Sequence, residues 1–133
     1  VEFLIKPAIS AGKIVISDRY ADATFAYQGA GRGFPEDKVL QVIELATGGL
    51  KPDLTLFFDI EVGEAIARMA ARDEASAKRN RMDDETAEFY TRVRNSYLGI
   101  AEREHERFRI VDASGSIEEI HKAVVSIVGK VLI

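Results

Sequence analysis

The residues best suited to chemistry stand early in the chain, at Asp18-Arg19-Tyr20 and at Thr24, Tyr27 and Gln28. A guanidinium such as that of Arg19 can present two parallel donors to a phosphate. A carboxylate such as that of Asp18 can hold that guanidinium, or a water bound to magnesium. By itself the pair could equally be a strand-end salt bridge, which contributes little. Thr24, Tyr27 and Gln28 recur at three- to four-residue spacing, so a helical turn would bring a hydroxyl, a phenol and an amide toward one ligand. That mixture suits a base and a sugar. Without Asp18-Arg19 beside it, the same stretch would read as a helix packing Phe25 and Tyr27 inward.

A second cluster is cationic. Arg68, Arg72, Lys78, Arg79 and Arg81 place five cations in fourteen positions between two helical stretches. A segment of this kind is either a solvated connection or a flap that closes over polyphosphate and stabilises charge on a transferring phosphoryl group. Such transfer needs a cradle for the donor phosphates, usually Gly-x-x-x-x-Gly-Lys-Ser/Thr between a strand and a helix. The 133 residues do not contain one: Gly-Lys occurs at Gly12-Lys13 and Gly129-Lys130, and five residues before those glycines stand Pro7 and Val124. Gly29-Ala30-Gly31-Arg32-Gly33 does not fit the dinucleotide fingerprint and reads as a loop. His105 and His121 lack metal-ligand spacing and read as structural or surface residues.

The elements that must position these groups alternate. Lys13–Ser17 and Leu54–Ile60 are continuous apolar runs suited to strands buried on both faces, and Phe108–Val111 is a shorter third. Between them the period is helical. Val39, Ile43 and Ala46 share a helix face stopped by Gly48-Gly49, and Val62, Ala65, Ile66, Met69 and Ala70 share another. Phe89, Val93, Tyr97 and Ile100 predict the longest helix, after the acidic start Asp83-Asp84-Glu85. Ser116 with Glu119 predicts a capping box ahead of an apolar-faced helix through Val131. Strands alternating with helices predict an α/β fold, an open parallel sheet with helices on both faces and ligands at the strands' carboxyl ends. Three apolar strands are few for such a sheet, so part of it is expected to be missing.

Composition sets the outer bounds. A chain of 133 residues, 47% hydrophobic and 30% charged, is sized for a single domain over residues 1–133. The absence of cysteine removes disulfides and thiol chemistry, and the default location is cytoplasmic. A net charge of -4 argues against nucleic-acid or membrane-surface partners held by general electrostatics. No apolar run approaches the ~20 residues that span a bilayer, and no signal-like segment opens the chain. Val1 is not methionine, and Phe3, Leu4 and Ile5 look like the middle of an element, so a truncated start is expected.

In combination the motifs resemble the thymidylate kinase family. They are Lys-Pro-Ala-Ile at 6–9, Gly-Lys-Ile-Val-Ile-Ser-Asp-Arg-Tyr at 12–20, Ala-Tyr-Gln-Gly at 26–29, Gly-Arg-Gly at 31–33 and Pro-Asp-Leu-Thr-Leu at 52–56, in the family's order and spacing. A deoxynucleoside kinase shares an aspartate-arginine pair after a strand but matches less well through 26–33. The resemblance runs from Val1 to Ile133 and covers about the last two-thirds of the family's usual length. It implies a nucleoside-monophosphate-kinase-like P-loop fold, N-terminally incomplete because the first strand and the phosphate loop precede the matched part. The implied reaction is transfer of the γ-phosphoryl group of ATP to dTMP, with magnesium, in dTTP synthesis.

Residue by residue, the resemblance implies that Asp18 supports magnesium through water and Arg19 holds the acceptor's phosphate. Thr24 and Gln28 would lie against thymidine, and Tyr27 beneath the sugar. Arg72, Arg79 and Arg81 fall in the lid, about residues 72–83, where they would act on the polyphosphate. There the sequence reads Asn80-Arg81-Met82-Asp83, whereas many relatives have Asp-Arg-x-Glu. Arg68, with Ala113 and Ser114 in the loop after the last strand, would lie near adenine. A homodimer is implied as well. Because the donor loop is absent, the 133 residues alone are expected to be inactive, and the alternative is a non-catalytic nucleotide-binding or assembly fragment.

Overall fold

A computed structural model describes residues 1–76 and 85–132, which divide into two compact units, Val1–Pro52 and Asp53–Ile133. The first unit is helical: α1 (Ile5–Ser10), α2 (Ala21–Thr24), a π-helical stretch (Phe25–Gly31) and α3 (Glu36–Thr47). α2 begins where the Tyr20 carbonyl accepts from the Ala23 and Thr24 amides at 3.1 and 3.3 Å. α3 starts after Pro35 with Glu36 and Asp37 in its first turn, where the helix dipole favours negative charge. It ends as its spacing predicts, at Gly48, whose φ of 58° a β-carbon would disfavour and whose amide donates to the Glu44 carbonyl at 2.8 Å. Val39 faces inward from α3, and Thr47 is buried with its hydroxyl donated to the Ile43 carbonyl at 2.9 Å.

Two expectations for this unit are corrected. Residues 13–17, which read as a doubly buried strand, take no regular structure, and Ile14 and Ile16 are 71% and 93% exposed. A parallel strand exists only through hydrogen bonds and side-chain cover from neighbouring elements, and an apolar run does not carry those with it. The glycine-rich stretch is not simply a loop. Gly29 and Gly31 are buried in the π-helical turn, and the Arg32 amide reaches back five residues to the Tyr27 carbonyl at 3.0 Å.

The second unit carries β1 (Thr55–Asp59), α4 (Val62–Ser76), α5 (Ala87–Arg103), β2 (Phe108–Asp112) and α6 (Ile117–Val131). β1 and β2 pair in parallel, from Thr55 opposite Phe108 to Asp59 opposite Asp112. The connection through two helices is what a parallel pair requires. α5 covers the face bearing Phe57 and Phe108: Tyr97 stacks on Phe57 at 4.6 Å between ring centroids and lies 6.3 Å from Phe108. Alternation turns Val111 to the other face, where it is 2% exposed, and α6 also packs against β2. Phe89, Val93, Ile100 and Ala101 are buried along α5, the longest helix among the described residues at 17 residues.

The cap of α5 is Thr86, whose hydroxyl accepts from the Phe89 amide at 3.2 Å; the acidic run predicted to open this helix starts with residues outside the described ones. α6 has the expected capping box. The Glu119 amide donates to the Ser116 hydroxyl at 3.3 Å, and the Ser116 amide to the Glu119 carboxylate at 2.8 Å.

Candidate functional site

Arg19 stands in a tight reversal just before α2. Its φ is +66°, in the left-handed region that arginine rarely adopts, and its carbonyl accepts from the Ser17 hydroxyl at 2.8 Å. The guanidinium lies over the Tyr27 ring, 5.1 Å from its centroid, a cation–π arrangement. Asp18 is exposed beside it. Tyr20 turns away and donates its hydroxyl to the Leu50 carbonyl at 3.2 Å. Burial pushes the Tyr20 phenol above its ordinary value, with Lys6 pulling the other way.

Thr24 and Gln28 do come together. They line a cleft of about 190 Å³ with Phe34, Lys38, Val39 and Val42, whose exposed surface is almost entirely apolar. The phenol is not part of it: Tyr27 pairs with Arg19 instead. The widened π-helical turn accounts for the separation, because it keeps residues four apart near one another and swings the residue between them aside. The residues of α3 that complete the cleft carry only a core signal in the sequence, and the turn that folds α3 back onto Thr24 and Gln28 is not a local property.

In the second unit, the carboxyl ends of the paired strands present Asp59 and Asp112. Asp112 accepts from the Ser114 amide at 2.9 Å and the Ser114 hydroxyl at 2.7 Å, a turn that shapes the loop after β2. Those bonds, the hydroxyl first, hold the Asp112 carboxyl below its ordinary value. The Ala113 amide donates to the Asp59 carbonyl at 2.8 Å, and the Ala113 carbonyl accepts from Arg68 of α4 at 3.0 Å. Arg68, Ala113 and Ser114 are therefore neighbours. Arg68 also pairs with Glu64 one turn earlier on its own helix. Arg72 is exposed one turn further along α4, and Arg79 and Arg81, with most of the expected lid, lie outside the described residues.

One constellation has no counterpart in the motif reading. Arg94 of α5 holds Asp59 with two parallel bonds and approaches Glu61 at 3.4 Å. The bond to Asp59, more than burial opposes, raises the Arg94 pKa still further. The position of Asp59 at a strand's carboxyl end was a usable signal; its partner, 35 residues on, was not. Among the described residues no group of three acidic, histidine or cysteine side chains is arranged to hold a metal directly.

The chain is similar to the crystal structure of thymidylate kinase from Ehrlichia chaffeensis, with a TM-score of 0.70 and 28% sequence identity over 96% of this chain. It spans 56% of that protein's chain. The fold is that of a P-loop nucleoside monophosphate kinase. The family model for thymidylate kinase matches residues 1–124, running through both units, and with that match over the reversal, the cleft and the loop after β2, the chain belongs to the thymidylate kinase family.

Proposed function

We propose that these residues form the acceptor-binding, lid and adenine-side part of an enzyme that transfers the γ-phosphoryl group of ATP to dTMP. An oxygen of the dTMP phosphate bonds to the γ-phosphorus, the bond from that phosphorus to the β-phosphate oxygen breaks, and ADP leaves with dTDP as product. Family membership favours this phosphotransferase over a binding or assembly role alone. The observation that carries the reading is the reversal at Arg19. It sets a guanidinium on the Tyr27 ring, immediately before the turns whose Thr24 and Gln28 line an apolar-floored cleft.

Arg19 binds the acceptor's phosphate through the paired donors of its guanidinium. Thr24 and Gln28 meet the nucleoside by hydrogen bonds. Tyr27 lies against the sugar in the bound state, on whichever ring face the guanidinium does not cover. Asp18 is an exposed carboxylate, a hard oxygen donor that fits a water-mediated contact to magnesium. Magnesium, when bound, neutralises charge on the donor phosphates and orients them. Arg68 anchors the Ala113–Ser114 loop beside adenine, where backbone groups make the contacts, and Arg72, Arg79 and Arg81 act on the polyphosphate from the lid. We read the two units as one domain, working as a homodimer in the cytoplasm.

The test is ATP-dependent turnover of dTMP against dUMP, dCMP and dGMP by a form of the protein with a donor-phosphate loop ahead of Val1, alongside nucleotide titration of the 133 residues alone. Selective ADP release with dTMP is expected. Absence of any preference for dTMP would sink the assignment.

A further inference from the structure

We infer that Ser17 is a positioning residue that aims the Arg19 guanidinium at the acceptor's phosphate. The inference rests on the reading of Arg19 given above and adds what holds that residue in place. Among the described residues Arg19 is the non-glycine position with positive φ, at 66°. A β-carbon crowds the backbone there, so the conformation persists only where neighbouring groups over-determine it. The Ser17 hydroxyl supplies such a group: it donates to the Arg19 carbonyl at 2.8 Å and turns the peptide after Arg19 back over residue 17.

The direction of the Arg19 side chain follows from that turn. With φ positive, the Cα–Cβ bond leaves the chain on a different side than it would in an extended backbone. The guanidinium is thereby delivered over the Tyr27 ring, its central carbon 5.1 Å from the ring centroid, and the cation–π contact restrains it there. Released to an extended backbone, the same side chain would sweep a wide volume of solvent and meet a phosphate only after being ordered, at an entropic cost to binding. The hydroxyl is therefore tied to recognition of the phosphate and not of the nucleoside.

The experiment is calorimetric titration of dTMP and of thymidine into the full 133-residue chain and its Ser17→Ala, Ser17→Thr, Arg19→Gln and Ser17→Ala/Arg19→Gln variants. Loss of one hydrogen bond of ordinary strength predicts that Ser17→Ala weakens dTMP about 3- to 10-fold and leaves thymidine unchanged. Ser17→Thr, which keeps the hydroxyl, restores dTMP affinity. In the double variant the serine change adds nothing to the arginine change, because it acts only through Arg19. The inference is overturned if Ser17→Ala has no effect, if it weakens thymidine as much as dTMP, or if the two losses add. If Arg19→Gln leaves dTMP affinity unchanged, or the unaltered chain does not bind dTMP, the phosphate role of Arg19 fails and the inference falls with it. Retained thymidine binding shows that each variant is folded.

Discussion

Arg94 and Asp59 form a two-point ion pair, Nε to Oδ1 at 2.7 Å and Nη2 to Oδ2 at 3.0 Å, that fastens α5 to the carboxyl end of β1. The fork of a guanidinium matches the two oxygens of a carboxylate, so the pair constrains rotation as well as distance. Its side chains are 30% and 19% exposed, which removes much of the screening that makes surface pairs weak.

Arg94→Ala leaves Asp59 part-buried without its cation and is expected to destabilise the protein by ~1.5–3 kcal/mol. Arg94→Lys, which keeps the charge but loses the fork, should recover only part of that. Denaturant midpoints of the three proteins check both; equal stability of Arg94→Ala and the parent would mean that the pair is energetically idle.

Acid should weaken the last helix and the loop before it. Hydrogen bonds from Ser116, its amide first, hold the Glu119 carboxyl below its ordinary 4.5, and bonds from Ser114 hold Asp112 below its ordinary 3.8. Each carboxyl is more acidic folded than unfolded. Its contribution is therefore complete above the unfolded value and disappears as pH falls through the lower folded one. Stability measured from pH 6 downward should drop below about pH 4.5, and less steeply in a Ser114→Ala/Ser116→Ala variant. Ser116→Ala should also cost ~1 kcal/mol at neutral pH through the lost cap.

Phe108 is 2% exposed and lies 6.2 Å from Phe57 and 6.3 Å from Tyr97, so three rings share one face of the sheet. Phe108→Ala opens a cavity there, with an expected loss of ~3–5 kcal/mol. Ile110→Ala, two residues along and 47% exposed, should cost distinctly less. A similar fall in both would show that the ring cluster is not the core of this unit.

Arg68→Ala removes the tie between α4 and the loop after β2. Faster amide hydrogen exchange at residues 113–116 is expected, with a global stability change of no more than about 1 kcal/mol because the arginine is half exposed. Unchanged exchange in that loop would show that Asp112 and Ser114 shape it unaided.

Much of the helical architecture could be read directly from residue patterns. The end of α3 at Gly48, the cap pair Ser116 and Glu119 and the apolar spacing of α5 are each written within one or two turns of chain. The parallel strands at 55–59 and 108–112 were likewise apparent as apolar runs. The run at 13–17 had the same appearance and is no strand, because pairing is supplied by other segments. The cleft is unevenly legible in the sequence for the same reason. Thr24 and Gln28 were matched by helical spacing, whereas Lys38 and Val42 reach the cleft through a fold-back that local spacing does not encode.

Residue order alone thus settled the chemical inventory: which guanidinium, hydroxyl and amide follow one another, where helices begin and stop, and, through its motifs, the family. Those properties depend on dihedral preference and periodicity over a few neighbours. Folding in three dimensions decided that the Tyr27 ring lies under Arg19 and does not line the cleft with Thr24, that Arg94 finds Asp59, and that Arg68 reaches Ala113. The pairings of Arg94 with Asp59 and of Arg68 with Ala113 join groups 35 and 45 positions apart. Tyr27 is only two helical turns from Arg19, but its partner was set by the width of a π-helical turn and the sign of one φ. The first is fixed by packing around the turn, and the second is held by the Ser17 hydroxyl on the Arg19 carbonyl, a bond that exists only once the chain has reversed.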